Sequence, residues 1–269
     1  MSAQQQERAE IDAANQEGSV RFRTEESGRV LHLWLDAPKG NVIDAAMITA
    51  ISTVLDRDVT PSTSLVVFEG AGKHFSFGAS VEEHRPKLVA ALLERFHGLF
   101  HKLAKLAVPT CAVVRGQCLG GGLELATWCT WIVATPDAHL GQPEIRLAMF
   151  PPMGSLLLPW RVGGAAGLDL CVSGRSVSAD DALALGLVNA VTDDPTAWWR
   201  ALVEDVLSKT SALALRHAER AARIGLIRQL DEELPRLEQQ FLEEVMQTHD
   251  ANEGIDSFVE RRAPHYLDR

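Results

Sequence analysis

Short apolar runs rich in β-branched residues alternate along this chain with stripes at helical spacing, and that alternation limits the fold more than any single motif. Residues 20–25 and 29–35 alternate partly apolar with polar on either side of Ser27-Gly28, the pattern of a hairpin. Asp44 stands where a helix cap is expected, ahead of Met47, Ile48, Ile51, Val54 and Leu55 on one helical face. Residues 65–68 return as a short buried strand before Gly70. Leu88, Leu92, Phe96, Leu99, Phe100, Leu103 and Leu106 form a second stripe that stops before Pro109, and Thr110–Val114 is another β-branched run. Strand-like segments recur at 131–134 and 187–191. A chain that repeats strand, strand and helix in this way is expected to stack α/β layers joined by short crossovers.

From about Thr196 the strand signals stop, and Leu234, Leu237, Phe241 and Val245 give a helical stripe inside an acid-rich segment. That stripe needs a partner, either the chain's own core or a neighbouring subunit. The sequence therefore divides into a polar N-terminal tail over 1–18, an α/β core over 19–195 and a helical region over 196–269. The tail carries acids and glutamines where a secretory leader is apolar, and no run approaches the roughly 18 uninterrupted apolar residues of a membrane span. A cytoplasmic protein without a membrane partner is expected. With 36 acidic against 26 basic residues and a formal net charge of −10, general nucleic-acid binding is disfavoured. Cys111, Cys118, Cys129 and Cys171 sit among apolar neighbours without CxxC spacing, and read as reduced, buried small hydrophobes.

Three segments carry chemistry. Arg115-Gly116-Gln117-Cys118-Leu119-Gly120-Gly121-Gly122-Leu123-Glu124 places a glycine cluster between a strand and an apparent helix. Glycines let backbone amides face a ligand closely, and first-turn amides stabilise developing negative charge. The plainer alternative is a tight turn that permits close packing. Phe75-Ser76-Phe77-Gly78-Ala79-Ser80-Val81-Glu82-Glu83 offers a second ligand-facing amide at Ala79, followed by a Ser-x-x-Glu capping box. Leu140-Gly141-Gln142-Pro143-Glu144 adds another acid beside a proline that fixes the backbone. Taken alone, Glu144 reads as a solvated loop acid. His97 and His101 are four apart on a helix, but no third ligand accompanies them, so no metal is expected. Cys118 has no evident base partner, and no Gly-x-Ser-x-Gly element supports a serine hydrolase.

These three segments, in this order and at these separations, resemble the crotonase (enoyl-CoA hydratase/isomerase) superfamily over nearly the whole chain. Further matches are Asn41-Val42-Ile43-Asp44, Val172-Ser173-Gly174-Arg175, the stretch ALALGLVN ending at Asn189, and residues 254–262. The resemblance implies a spiral of strand-strand-helix turns, C-terminal helices that support trimers or hexamers, and an acyl-CoA substrate with no separate cofactor. It also implies that Ala79 and Gly121 supply oxyanion-hole amides for a thioester oxygen, and that Glu124 and Glu144 are the catalytic acids. Hydration needs one group to take a proton from water and another to deliver one to the α carbon. Which glutamate does which is left open. Phe77, Gly78, Gly120 and Phe150 are further candidates for contacting the substrate, and Arg261 and Arg262 for reaching the CoA phosphates.

Two departures qualify the pattern. Ser80 stands where an acid usually follows the oxyanion-hole alanine, and Phe150-Pro151-Pro152-Met153-Gly154 replaces a glycine-rich stretch. The segments SVEEHR, Phe96-His97-Gly98-Leu99-Phe100 and RGQCLGGGLELA resemble the subfamily that hydrates cyclic dienoyl-CoA thioesters in anaerobic benzoyl-CoA breakdown. That implies water addition to cyclohexa-1,5-diene-1-carbonyl-CoA, giving 6-hydroxycyclohex-1-ene-1-carbonyl-CoA. The alternatives are a straight-chain enoyl-CoA hydratase or isomerase, a cyclic oxo-acyl-CoA ring hydrolase, and a non-enzymatic relative that binds acyl-CoA or RNA.

Overall fold

In the computed structural model, which describes residue 9 and residues 11–269, the alternation resolves into two sheets wound with helices. The strands are β1 (Asn15–Glu17), β2 (Val20–Glu25), β3 (Val30–Leu35), β4 (Leu65–Gly70), β5 (Thr110–Val114), β6 (Gln117–Leu119), β7 (Trp131–Ala134), β8 (His139–Gly141), β9 (Ser176–Ser178) and β10 (Ala190–Val191). The larger sheet runs β1-β2-β3-β4-β5-β7-β10, antiparallel up to β3 and parallel beyond it. The smaller runs β6-β8-β9. The helices that matter for the site are α1 (Ala45–Asp58), α2 (Val89–Leu106), α3 (Gly121–Trp128), α4 (Pro152–Val162), α5 (Gly164–Ser173), α6 (Pro195–Asp205), α7 (Leu234–Gln240) and α8 (His249–Glu260).

Each turn of the chain passes from the larger sheet to the smaller and then into a helix. β5 leads to β6 and α3, and β7 leads to β8 and, through a short turn, α4. β4 leads to Ser76, which bridges Cys118 of β6 in parallel, and then to α2. This is the strand-strand-helix spiral.

Helices on both sides explain why β3, β4 and β5 are buried along their whole length instead of alternating. Val66, Phe68, Ala112 and Val114 face the main core, with α1 and α2. Their neighbours Leu65, Val67, Cys111 and Val113 face Trp199 and Val203 of α6. The Asp44 carboxylate accepts the Met47 N–H at 2.8 Å and starts α1, whose Met47, Ile48, Ile51, Val54 and Leu55 are all buried. Along α2, Leu92, Phe96, Leu99, Phe100 and Leu103 are buried, each contributing roughly 1.5–3 kcal/mol of apolar burial. Leu88, just before that helix, stays exposed. The helix closes on left-handed Ala107, two residues before Pro109.

Two expectations change, and an open one is narrowed. The 1–18 tail lies partly outside the described residues, at 1–8 and 10, but Ile11 is buried and β1 pairs with β2 as an edge strand. In place of a strand over 187–191, only Ala190–Val191 pairs. Leu187 and Val188 are buried from a turn instead, and the Asn189 side chain takes the Ile132 N–H at 2.8 Å. The C-terminal stripe, left open between its own core and a neighbouring subunit, packs partly within its own chain: Leu234 joins the main core beside Leu226 and Leu230. Phe241 and Met246 pack with Val89, Leu93 and Ile255. Beyond Val191 no strand occurs among the described residues, and none of their helices is long and apolar enough to cross a membrane.

Candidate active site

The glycine cluster turns the chain from β6 into α3. Gly120 adopts φ +51° and ψ −127°, which a side-chain-bearing residue resists, and a Cβ there would lie 2.6 Å from Glu144 Oε1. The turn makes the Gly121 N–H a first-turn donor with no intrahelical acceptor. Opposite it, Ile43 donates to the Gly78 carbonyl at 2.9 Å and accepts from Ser80 N–H at 3.2 Å, so the intervening Ala79 N–H takes no part in that bridge. The two backbones touch: a Cβ on Gly121 would lie 3.1 Å from the Ala79 nitrogen. Both residues line one cavity.

The early Asn41 loop holds this approach. Asn41 Nδ2 donates to the carbonyls of Ala71, His74 and Phe75, while Ser76 Oγ donates to the Asn41 carbonyl and accepts from Gly78 N–H. Ser80 Oγ accepts the Glu83 N–H at 3.4 Å, but the Glu83 carboxylate turns to Ala45 N–H instead of completing a reciprocal box. Only a short 3₁₀ turn, Glu82–His84, follows.

Glu124 lies on the first turn of α3, buried, with Oε1 accepting the Gly154 N–H at 2.6 Å from the start of α4. Glu144 lies on the 3₁₀ turn Pro143–Leu147, with Oε1 accepting from Gln142 Nε2 at 3.1 Å. Its buried Oε2 has no hydrogen-bond partner among the described residues, which leaves that oxygen to meet water or an acyl group. Burial raises the pKa of both carboxyls above the ordinary carboxylate range, and the Glu144 charge raises that of Glu124 further. The Gly154 and Gln142 N–H groups oppose this, each favouring its ionised partner. Two buried carboxyls in one site ionise together only at a cost, so they titrate jointly.

A stability test follows from the sign of the shift. A raised carboxylate pKa means the folded state binds more protons than the unfolded one, so stability is full below the ordinary value of 4.5 and is lost as pH rises through the raised values. The double variant Glu124→Gln/Glu144→Gln should therefore lose less stability than the native chain from about pH 5 through neutrality. Parallel denaturant titrations across that range measure it, and equal losses would contradict the raised pKa values.

Around the carboxyls the wall is apolar and aromatic: Leu92, Leu93 and Phe96 from α2, Met149 and Phe150, and Phe241 just after α7. Phe150 and Phe241 meet edge to face with centroids 5.4 Å apart. Pro151 and Pro152 fix the backbone beside Phe150. His84 also lines the cavity, its Nδ1 bonded to the Ser80 carbonyl at 2.8 Å, and burial lowers its pKa. Helix α8 packs behind the Glu144 turn, and Tyr266 Oη donates to the Arg146 carbonyl at 2.6 Å.

The residues read from the sequence are not all gathered here. Ala79, Gly121, Glu124, Glu144 and Phe150 line the cavity, and Gly78 and Gly120 shape it from the backbone. Phe77 does not line it; it is exposed, against His74 and over Gly40. Arg261 and Arg262 lie at the end of α8 outside the cavity, and Arg262 is paired with Glu253 and Glu260. His97 is bonded to Glu238, while His101 is exposed near Asp231. Burial pushes the Cys118 thiol up, away from a nucleophilic role. The sequence alone gives no signal that Gln142 partners Glu144, and it presents Gly154 only as part of a departure from the family pattern.

Two backbone amide positions and two buried carboxyls lining one cavity form an arrangement that can polarise a carbonyl and move protons next to it. The chain belongs to the enoyl-CoA hydratase/isomerase family, whose model matches residues 25–269. It is similar to the cyclohexa-1,5-dienecarbonyl-CoA hydratase of Thauera aromatica, with 42% identity over 91% of this chain and 95% of that protein. A probable enoyl-CoA hydratase of Mycobacterium tuberculosis is 36% identical over 82% of this chain and 86% of its own length. Among solved structures, an enoyl-CoA hydratase from Mycobacterium avium subsp. paratuberculosis superposes with a TM-score of 0.81 at 25% identity, covering 93% of this chain and 99% of that one. The family makes the protein a hydro-lyase acting on acyl-CoA thioesters.

Proposed function

We propose that the protein hydrates a cyclic conjugated dienoyl-CoA, cyclohexa-1,5-diene-1-carbonyl-CoA, to 6-hydroxycyclohex-1-ene-1-carbonyl-CoA, as in anaerobic benzoyl-CoA degradation. The similarity to the Thauera aromatica hydratase over nearly the full chain carries this reading. The proline-stiffened wall of Phe96, Phe150 and Phe241 supports it, since flat apolar faces suit a ring.

The Ala79 and Gly121 N–H groups take the thioester oxygen, which draws electron density from the ring. One carboxylate of the pair removes a proton from water, and the oxygen joins the β carbon. Charge collects on the thioester oxygen as a dienolate. The second carboxyl then gives its proton to carbon. Because the product keeps a double bond conjugated to the thioester, that proton must arrive at the far end of the diene, across the ring from the new C–O bond. Addition at the α carbon would move the remaining double bond out of conjugation. One water is consumed, with no change in oxidation state.

Turnover of the cyclic dienoyl-CoA and of crotonyl-CoA by the same preparation tests the substrate. The kcat/KM for the ring should be the greater. Much faster turnover of crotonyl-CoA would replace this reading with a straight-chain hydratase.

The chemistry requires no cofactor, because the thioester acidifies the adjacent carbon and the amides hold the enolate. Full activity is therefore expected after exhaustive chelation and desalting, and a loss restored only by added metal would contradict it. A homotrimer or hexamer also belongs to the proposal. Leu168, Val172, Leu213, Ile224 and Phe258 leave apolar surface exposed that subunit contact would cover. Light scattering at micromolar concentration should give a multiple of the 29.4 kDa chain, and an active monomer would exclude it.

A further inference from the structure

His97, like His84, is a polar group in the apolar wall that neither the amides nor the glutamates account for. It lies on α2 one turn beyond Leu93 and beside Phe96, lines the same cavity as Glu124 and Glu144, and is 3% exposed. Its Nδ1 is bonded to Glu238 Oε1 on α7 at 2.5 Å. An ionised carboxylate only accepts, so Nδ1 carries the hydrogen and the ring is locked in orientation. No hydrogen bond from Nε2 to another described residue accompanies it, and Nε2 is not among the fully buried atoms left without a partner, so it keeps accessible surface in a residue that lines the cavity.

Resting on the proposed substrate, we infer that His97 is a specificity-determining residue whose Nε2 meets a hydroxyl on the acyl group, with Glu238 as its positioning residue. Covering a polar atom without giving it a partner is costly, and a plain alkyl or cycloalkyl group filling this wall would displace water from Nε2 and offer nothing in return. A hydroxyl both donates and accepts, so it pairs with Nε2 whether the ring is neutral or doubly protonated. The dienoyl substrate lacks that hydroxyl and the product bears it, so the contact forms as the C–O bond does. The site thereby favours hydroxylated cyclic acyl groups over hydrocarbon ones of the same shape.

Binding of saturated analogues tests this apart from turnover. Isothermal titration would compare cyclohexanecarbonyl-CoA with each diastereomer of 2-hydroxycyclohexanecarbonyl-CoA. The native protein should prefer one hydroxylated diastereomer by on the order of tenfold. His97→Phe, which removes the polar atom that a plain group leaves unpaired, should bind the plain analogue more tightly than the native protein and lose the preference. Glu238→Ala should lose most of it, whereas Glu238→Gln, which still accepts from Nδ1, should keep it. Thermal unfolding identifies any variant that fails to fold, and the Glu238 pair then decides alone. A native protein without the preference, or a folded His97→Phe that retains it, overturns the inference. Failure to hydrate the cyclic dienoyl-CoA while the preference persists would instead overturn the proposed substrate.

Discussion

Replacing either Glu124 or Glu144 by Gln should lower kcat for hydration by at least about 10²-fold, the effect of losing a positioned acid–base group. Each substitution keeps size and hydrogen bonding. In Glu124→Gln the new amide oxygen can still accept the Gly154 N–H, and in Glu144→Gln it can still accept from Gln142 Nε2, so neither change should unfold the site. What disappears is the titratable proton. Acyl-CoA affinity should largely survive, because in the proposed mechanism the thioester oxygen is held by backbone at Ala79 and Gly121. With one carboxyl left, slow exchange of the substrate's acidic proton with solvent can persist without net hydration. Rapid-mixing kinetics, solvent-deuterium exchange and ligand titration on both single variants separate these effects. Native-like hydration by either folded variant would contradict the paired mechanism.

Gly120→Ala should be nearly as damaging through a different route. The new Cβ would sit 2.6 Å from Glu144 Oε1 on a backbone that only glycine adopts readily, so the turn and the carboxylate must both shift. That shift moves the Gly121 N–H, and losing one such donor costs roughly 10²–10³ in kcat. The loss should appear mainly in kcat, with KM changing less, since the charge that the amides hold develops during reaction. Steady-state kinetics on the folded variant, checked by thermal unfolding, measure this. Activity within about threefold of the native protein would mean that the cluster only makes a turn.

The α/β layering was legible because its causes are local. Asp44 caps α1 through its own side chain, the stripe from Leu92 to Leu103 has helical period, and Pro109 bars the helix from continuing. The strand expected over 187–191 was not, because the buried Leu187 and Val188 look the same in sequence whether a strand or a turn buries them. Asn15–Glu17 is polar and reads as tail, yet an edge strand exposes one side and needs little apolar content. Ala79, Gly121, Glu124 and Glu144, which line one cavity, stand in motifs that have local backbone reasons. Phe241, His84 and Glu238 reach the cavity or its wall by tertiary packing, and no spacing in the sequence announces that.

The central claim is that the carboxyl pair delivers water's hydroxyl and proton to the two ends of a conjugated ring system while backbone amides hold the thioester oxygen. Hydration of cyclohexa-1,5-diene-1-carbonyl-CoA in D₂O, followed by NMR of the product, tests it most directly. The account predicts one deuterium on carbon, located across the ring from the hydroxyl-bearing carbon. Deuterium at the α carbon, or a deuterated product with no hydroxyl, would contradict it.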